Sequence, residues 1–161
     1  MEKSYSPTKN ETEIYKYWLS ENLFSPSEKE TNLDPFTIIM PPPNVTGELH
    51  MGHALTIAIE DLIVRWKRMK GHSTLYLPGS DHAGIATQVV VEKEIAKEGT
   101  NRHELGREKF ITKVWEWVND YGDRIYNQMQ RMGASCDWSR KAFTLDEIPQ
   151  LAVKTTFVNL Y

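Results

Sequence analysis

Pro41-Pro42-Pro43-Asn44-Val45-Thr46-Gly47-Glu48-Leu49-His50-Met51-Gly52-His53 decides how this chain folds. Three consecutive prolines have no N–H and a fixed φ, so neither a strand ladder nor an α-helix can run through them. Regular structure must therefore stop before Pro41 and resume near Gly52. Upstream, Phe36-Thr37-Ile38-Ile39-Met40 is a continuous apolar run suited to a strand buried on both faces. Downstream, residues 53–70 place Leu55, Ile59, Leu62, Ile63, Trp66 and Met69 on one helical face. Arg65, Lys67, Arg68 and Lys70 crowd the last turns, where cations complement the helix dipole, and Gly71 ends the helix. Ser73-Thr74-Leu75-Tyr76-Leu77 is a second strand, closed by Pro78-Gly79. Strand, helix and strand in this order make a βαβ unit, which requires a parallel pair and a crossover.

Outside this unit the chain is mostly helical. Ile14, Tyr15, Trp18 and Leu19 recur at helical spacing over residues 10–20, with Asn10 or Thr12 as cap, and residues 25–35 read as a loop. After Ser80-Asp81-His82-Ala83-Gly84 a helix of mixed charge is expected to run to about Glu98, stopped by Gly99. Ile111, Val114, Trp115, Val118, Ile125, Met129 and Met132 mark a long amphipathic helix over 104–132, with Asn101 and Glu104 resembling a capping box. Residues 133–143 are expected to be irregular, and Thr144 followed by Glu147 to open a last helix that is still running at Tyr161. The expected fold is α/β, the first half of a Rossmann-like parallel-sheet nucleotide-binding domain with flanking helices. Its parts are a helix and loop at 1–35, the nucleotide-fold half at 36–132, and a connection at 133–161.

Composition narrows the functional classes. With 161 residues, 40% hydrophobic and 11% aromatic, the chain can build a core and does not read as disordered. A net charge of −3, with acids and bases interspersed, argues against a general nucleic-acid coat. A single cysteine excludes an internal disulfide and fits a reducing, cytoplasmic setting. No signal region opens the chain, and no apolar run approaches the roughly 20 residues of a membrane helix.

Both irregular loops, Pro41–His53 and Pro78–Gly84, follow strands, and ligands of open α/β sheets sit beyond the strands' carboxyl ends. If the strands are parallel neighbours, His50, His53 and Asp81 surround one cleft. A helix N-terminus offers N–H donors and a positive dipole end to phosphate, and His50 and His53 add two donors at i and i+3. Gly52 leaves no side chain between the backbone and a flat ligand such as a base. Asp81 is an isolated carboxylate able to hold an ammonium group. Phosphate donors beside an ammonium acceptor suggest a nucleotide and an amino acid. Blander readings stand beside this one: incidental histidines, two ligands of a zinc interaction module completed by Asp81 or His82, and Asp81 as a mere helix cap. The residues of 105–132 read as core, and Cys136, with no histidine nearby in sequence, does not read as a nucleophile.

His50-Met51-Gly52-His53 resembles the His-x-Gly-His signature of the class I aminoacyl-tRNA synthetases. The words around it, Pro-Pro-Pro-Asn-Val-Thr-Gly before the tetrad and Gly79-Ser80-Asp81-His82-Ala83-Gly84-Ile85-Ala86-Thr87-Gln88 after it, are similar to the valyl branch of that family. Gly133-Ala134-Ser135-Cys136-Asp137-Trp138-Ser139-Arg140 is similar to the same branch. Ser80 stands where threonine is usual and keeps the hydroxyl. The resemblance implies that His50 and His53 bind the ATP phosphates and stabilise charge while the α-phosphate is attacked by an amino-acid carboxylate. It implies further that Gly52 lies against the adenine and that Thr46 contacts the nucleotide. Asp81 would anchor the α-ammonium of valine, with Pro41, Pro42 and Asn44 lining its pocket. The implied products are valyl-adenylate and pyrophosphate, which leaves with Mg2+, and the implied partner is tRNA(Val), in a monomeric enzyme. The Lys-Met-Ser-Lys-Ser signature, the editing insertion and the anticodon-binding helices of such enzymes are not in these 161 residues, so this stretch alone is expected to bind ATP weakly and to charge no tRNA. A small-molecule nucleotidylyltransferase also uses a His-x-Gly-His turn, but would need neither Asp81 nor the proline word.

Overall fold

The computed structural model describes residues 5–26 and 33–161. Of the loop expected over 25–35, residues 27–32 lie outside the described residues. The chain forms two compact units, the first from Met1–Met40, His50–Pro78 and Asn127–Lys141, the second from Pro41–Leu49, Gly79–Tyr126 and Ala142–Tyr161.

The first unit contains the expected βαβ motif. β1 (Pro35–Ile39) pairs in parallel with β2 (Ser73–Leu77), Phe36 opposite Thr74 and Ile39 opposite Leu77, and α2 (Met51–Met69) crosses between them and packs on both. Gly71, at φ +83°, takes the left-handed position that closes the helix. α1 (Pro7–Ser20) begins three residues earlier than expected, because Pro7 is pre-set for a helical first turn; Ser6, not Asn10 or Thr12, is its N-cap residue. Its Tyr15 is buried, in edge-on contact with Trp18, and donates its hydroxyl to the carbonyl of Ala134 at 2.7 Å.

Two expectations about burial fail here. β1 is not buried on both faces: Pro35, Thr37 and Ile39 are exposed, Ile39 to 70%, and alternate with half-buried Phe36 and Ile38, so only one face of the strand is covered. The apolar stripe of α2 does not face the core either. Leu62 is 68% and Met69 86% exposed, whereas Ile57, Asp61 and Val64 are buried. The physical reason lies in residues 133–137, whose backbone needs polar partners. Asp61 Oδ1 accepts from the Ser135 N–H at 2.8 Å and from its hydroxyl at 2.5 Å. Arg65 donates to Asp61 at 2.6 Å and to the Gly133 carbonyl at 2.5 Å, and Arg68 reaches the Ser135 side chain at 3.0 Å. The inward face of α2 is thus a mixed stripe of Ile57, Asp61, Val64 and Arg68, at helical spacing.

In the second unit, α3 (Gly84–Lys97) and the first part of α4 (Arg102–Arg131) pack through Val91, Ile95 and Phe110, with Leu105, Val114 and Trp117 against them. Asn101 caps α4, its Oδ1 accepting from the N–H groups of His103 and Glu104, but the Glu104 carboxylate accepts from the Thr100 hydroxyl, so only half of the expected capping box is seen. Gly106 interrupts the helix at φ 74°, ψ 164°, a conformation open essentially to glycine alone. Residues 133–143 are less irregular than expected: a short 3₁₀ turn occupies Trp138–Arg140, and β4 (Ala142–Phe143) pairs in parallel with β3 (Gly79–Ser80). α5 (Glu147–Leu160) has Asp146, not Thr144, at its N-cap position, with no side-chain cap bond, and buries none of its residues. Among the described residues no helix is long and apolar enough to cross a membrane.

Replacing Asp61 by Ala leaves the buried Ser135 N–H without its acceptor. The expected cost is about 1–3 kcal/mol, seen as a lower urea midpoint at unchanged m-value.

Candidate functional site

The candidate residues fall in both units: His50, Gly52 and His53 in the first, Pro41, Pro42, Asn44, Thr46 and Asp81 in the second.

His50 is the N-cap residue of α2, with extended backbone at φ −113°. Its Nδ1 lies as many bonds from Cα as the side-chain oxygen of asparagine, so the ring can cap as an asparagine does. It accepts from the Gly52 N–H at 3.0 Å, while His53 Nδ1 accepts from the His50 N–H at 3.3 Å. The rings stack at 3.9 Å between centroids, 28° apart. Because each Nδ1 is an acceptor, the proton of each neutral ring sits on Nε2. The two histidines thus spend one nitrogen each on the helix start and keep an N–H donor each for a ligand. Partial burial, and then the neighbouring His50, push the pKa of His53 below its ordinary value. Gly52 has a role that its sequence context did not reveal: a Cβ there would stand 2.9 Å from His50 Cε1 and 3.0 Å from Nδ1, so glycine is what lets the His50 ring fold back over the turn.

Around Asp81, the proline loop is held by backbone bonds. Asp81 N–H donates to the Pro43 carbonyl at 2.8 Å, and Val45 N–H to the Asp81 carbonyl at 2.9 Å, forming a parallel bridge between Asn44 and Asp81. Val45 is wholly buried, and its carbonyl accepts from the Trp117 indole at 2.9 Å. Pro41, Pro42 and Asn44 are exposed, and Thr46 is half-buried. Asp81 does not cap the helix that follows. The residue at that position is Ala83, held at φ 43°, ψ 53° with no side-chain cap, and Thr87 donates to the His82 carbonyl instead.

The Asp81 side chain accepts through Oδ1 from the Thr144 hydroxyl at 2.8 Å, and His82 Nδ1 lies 3.2 Å from the same oxygen. Oδ2 accepts no hydrogen bond from the described residues, and the side chain is 33% exposed. This arrangement leaves one carboxylate oxygen for a cationic ligand. Thr144 and Trp117 are the contributors that sequence reasoning missed. Thr144 had a plausible local duty as a helix opener, and Trp117 lay in a stripe read as core.

Cys136 is fully buried, and burial pushes its thiol pKa well up. No group of three or more His, Cys, Asp or Glu side chains stands together to hold a metal among the described residues.

The family described as tRNA synthetases class I (I, L, M and V) matches residues 13–161. The valine–tRNA ligase of Bdellovibrio bacteriovorus is 55% identical over 157 residues, covering 98% of this chain and 17% of that protein. That of Dehalococcoides mccartyi is 55% identical over 161 residues, 100% of this chain and 18% of that protein. The mitochondrial valine–tRNA ligase 1 of Arabidopsis thaliana is 55% identical over 162 residues, 100% of this chain and 14% of that protein. Among solved structures, LeuRS of Agrobacterium radiobacter, in a ternary complex with tRNA and LeuAMS, superposes with a TM-score of 0.79 at 19% identity, over 98% of this chain and 18% of that one. That likeness establishes the Rossmann-like fold. The chain spans less than a fifth of the length of these relatives.

The depressed pKa of His53 has a defined sign. Folding favours its neutral ring, so the folded state binds fewer protons than the unfolded one, and stability falls as pH drops below about 6.5 towards the folded pKa. An NMR titration of the ring should find its midpoint below about 6.5. Gly52→Ala should displace the His50 ring, read as loss of the Nδ1-acceptor signature in its ¹⁵N shifts.

Proposed function

Since the chain belongs to the class I tRNA synthetases, we propose that it is the amino-terminal catalytic portion of a valine–tRNA ligase. The complete enzyme activates valine with MgATP to valyl-adenylate and transfers the valyl group to tRNA(Val). The observation that carries the reading is the reciprocal cap of His50 and His53, which leaves two Nε2–H donors at a helix N-terminus, in a chain 55% identical to valine–tRNA ligases along its length.

The chemistry asks little proton transfer of the protein. The nucleophile is valine's carboxylate, already ionised at neutral pH, and it attacks the α-phosphorus while the bond to the β-phosphate breaks. Pyrophosphate leaves with the magnesium that arrived with the nucleotide. What must be supplied is position and charge stabilisation. In this reading the Nε2–H groups of His50 and His53 and the amino-terminal backbone of α2 hold phosphate oxygens. Gly52 lies against the adenine, and Thr46 contacts the nucleotide.

Asp81 Oδ2 takes valine's ammonium group. Pro41 and Pro42, lacking N–H groups, offer only carbonyl acceptors, which suits an ammonium neighbour, and Asn44 completes the pocket lining. Residues 1–35 and 133–161 serve as flanking helix and connection to the remainder of the enzyme. The complete protein acts in the cytoplasm as a monomer.

The test is valine-dependent exchange of pyrophosphate into ATP by the complete protein. Exchange that answers to isoleucine or leucine and not to valine overturns the assignment. Losing His50 or His53 to Ala should slow exchange on the order of 10²-fold, as loss of an oxyanion donor does.

A further inference from the structure

We propose that Thr144 is a positioning residue for valine binding: its hydroxyl orients the carboxylate of Asp81 and fixes the tautomer of His82. This rests on the reading of Asp81 as the ammonium anchor and extends it to a residue 63 positions away. β4 pairs with β3 in parallel, Gly79 opposite Ala142 and Ser80 opposite Phe143. The Thr144 N–H continues that ladder to the Ser80 carbonyl at 3.2 Å, which sets Thr144 beside Asp81. Thr144 lies outside α5, whose N-cap position is Asp146, so its hydroxyl is not committed to the helix start.

Proton counting fixes the direction of the bonds. Thr144 Oγ1 lies 2.8 Å from Asp81 Oδ1, 2.9 Å from the His82 N–H and 2.6 Å from His82 Nδ1. A threonine hydroxyl has one proton. Given to Nδ1, it would leave that oxygen facing the carboxylate with no proton between them, and a bare Nδ1 would face Asp81 Oδ1 at 3.2 Å. Given to Asp81, it lets Oγ1 accept from both nitrogens of His82. Only the second arrangement satisfies every contact, and it requires His82 to carry its proton on Nδ1. Oδ1 is then tethered by Thr144 with the His82 N–H beside it, and Oδ2 is left for the ligand. The backbone of Asp81 is pinned by Pro43 and Val45, so the hydroxyl restrains the remaining freedom, rotation of the carboxylate. A binding group held in one orientation before the ligand arrives loses less entropy on binding.

Pyrophosphate exchange by the complete enzyme tests this, with Thr144→Val, Thr144→Ser and Asp81→Asn compared side by side. Thr144→Val keeps the shape and removes the donor, and Thr144→Ala replaces it should the valine variant not fold. The expected result is a rise of about tenfold in KM for valine with KM for ATP unchanged, and recovery to within about twofold in Thr144→Ser. Asp81→Asn should raise KM for valine by about 30-fold or more. If Asp81→Asn leaves KM for valine unmoved, the reading of Asp81 itself fails. If Asp81→Asn raises it and the hydroxyl-deleting variant does not, positioning by Thr144 is overturned. Equal rises in both KM values, without recovery by serine, would also overturn it, since they mark general loosening of the fold.

Discussion

A shortage of backbone donors governs the candidate site. Residues 41–43 have no N–H group, so this part of the loop after β1 can donate no backbone hydrogen bond. Its carbonyls need donors from elsewhere in the chain, and its course needs external support. Asp81 supplies the backbone bridge to Pro43 and Val45, and the Trp117 indole takes the Val45 carbonyl. The same residue that fastens the loop carries the carboxylate proposed to hold the substrate.

The histidine turn follows a similar economy. An imidazole has two nitrogens with separable duties, and here Nδ1 closes the helix start while Nε2 remains a donor. An asparagine in either place could cap equally well, but it would not leave a donor on a rigid stacked ring. Glycine at position 52 is part of this device, since the ring occupies the space a Cβ would take.

Much of the architecture was legible in the sequence. The proline break, the helix ends at Gly71 and Gly99 and the Asn101 cap depend on residues close together in the chain, and local sterics specify them, while the βαβ unit follows from the order of its three elements. The orientation of α2 was not legible. Its Leu55–Met69 stripe has the period of a buried face, yet the buried side is built from Asp61, Arg65 and Arg68 reaching Gly133 and Ser135, about 70 residues away. Periodicity reports that a helix has two unlike faces; it cannot report which face this part of the molecule covers.

The sequence by itself determined which chemical groups make up the candidate site proposed for ATP and an amino acid: the histidine tetrad, the proline word and Asp81. These are patterns of identity and spacing, legible without coordinates. Tertiary structure alone decided how those groups are held. Thr144 reads locally as a helix opener, and only the pairing of β3 with β4 sets its hydroxyl against Asp81. The tautomers of His50, His53 and His82 follow from distances to particular donors and acceptors, and those distances exist only once the chain has folded. The physical reason is common to all of these cases: sequence spacing limits what neighbours along the chain can do, while a hydrogen bond depends on a separation of a few ångströms in space.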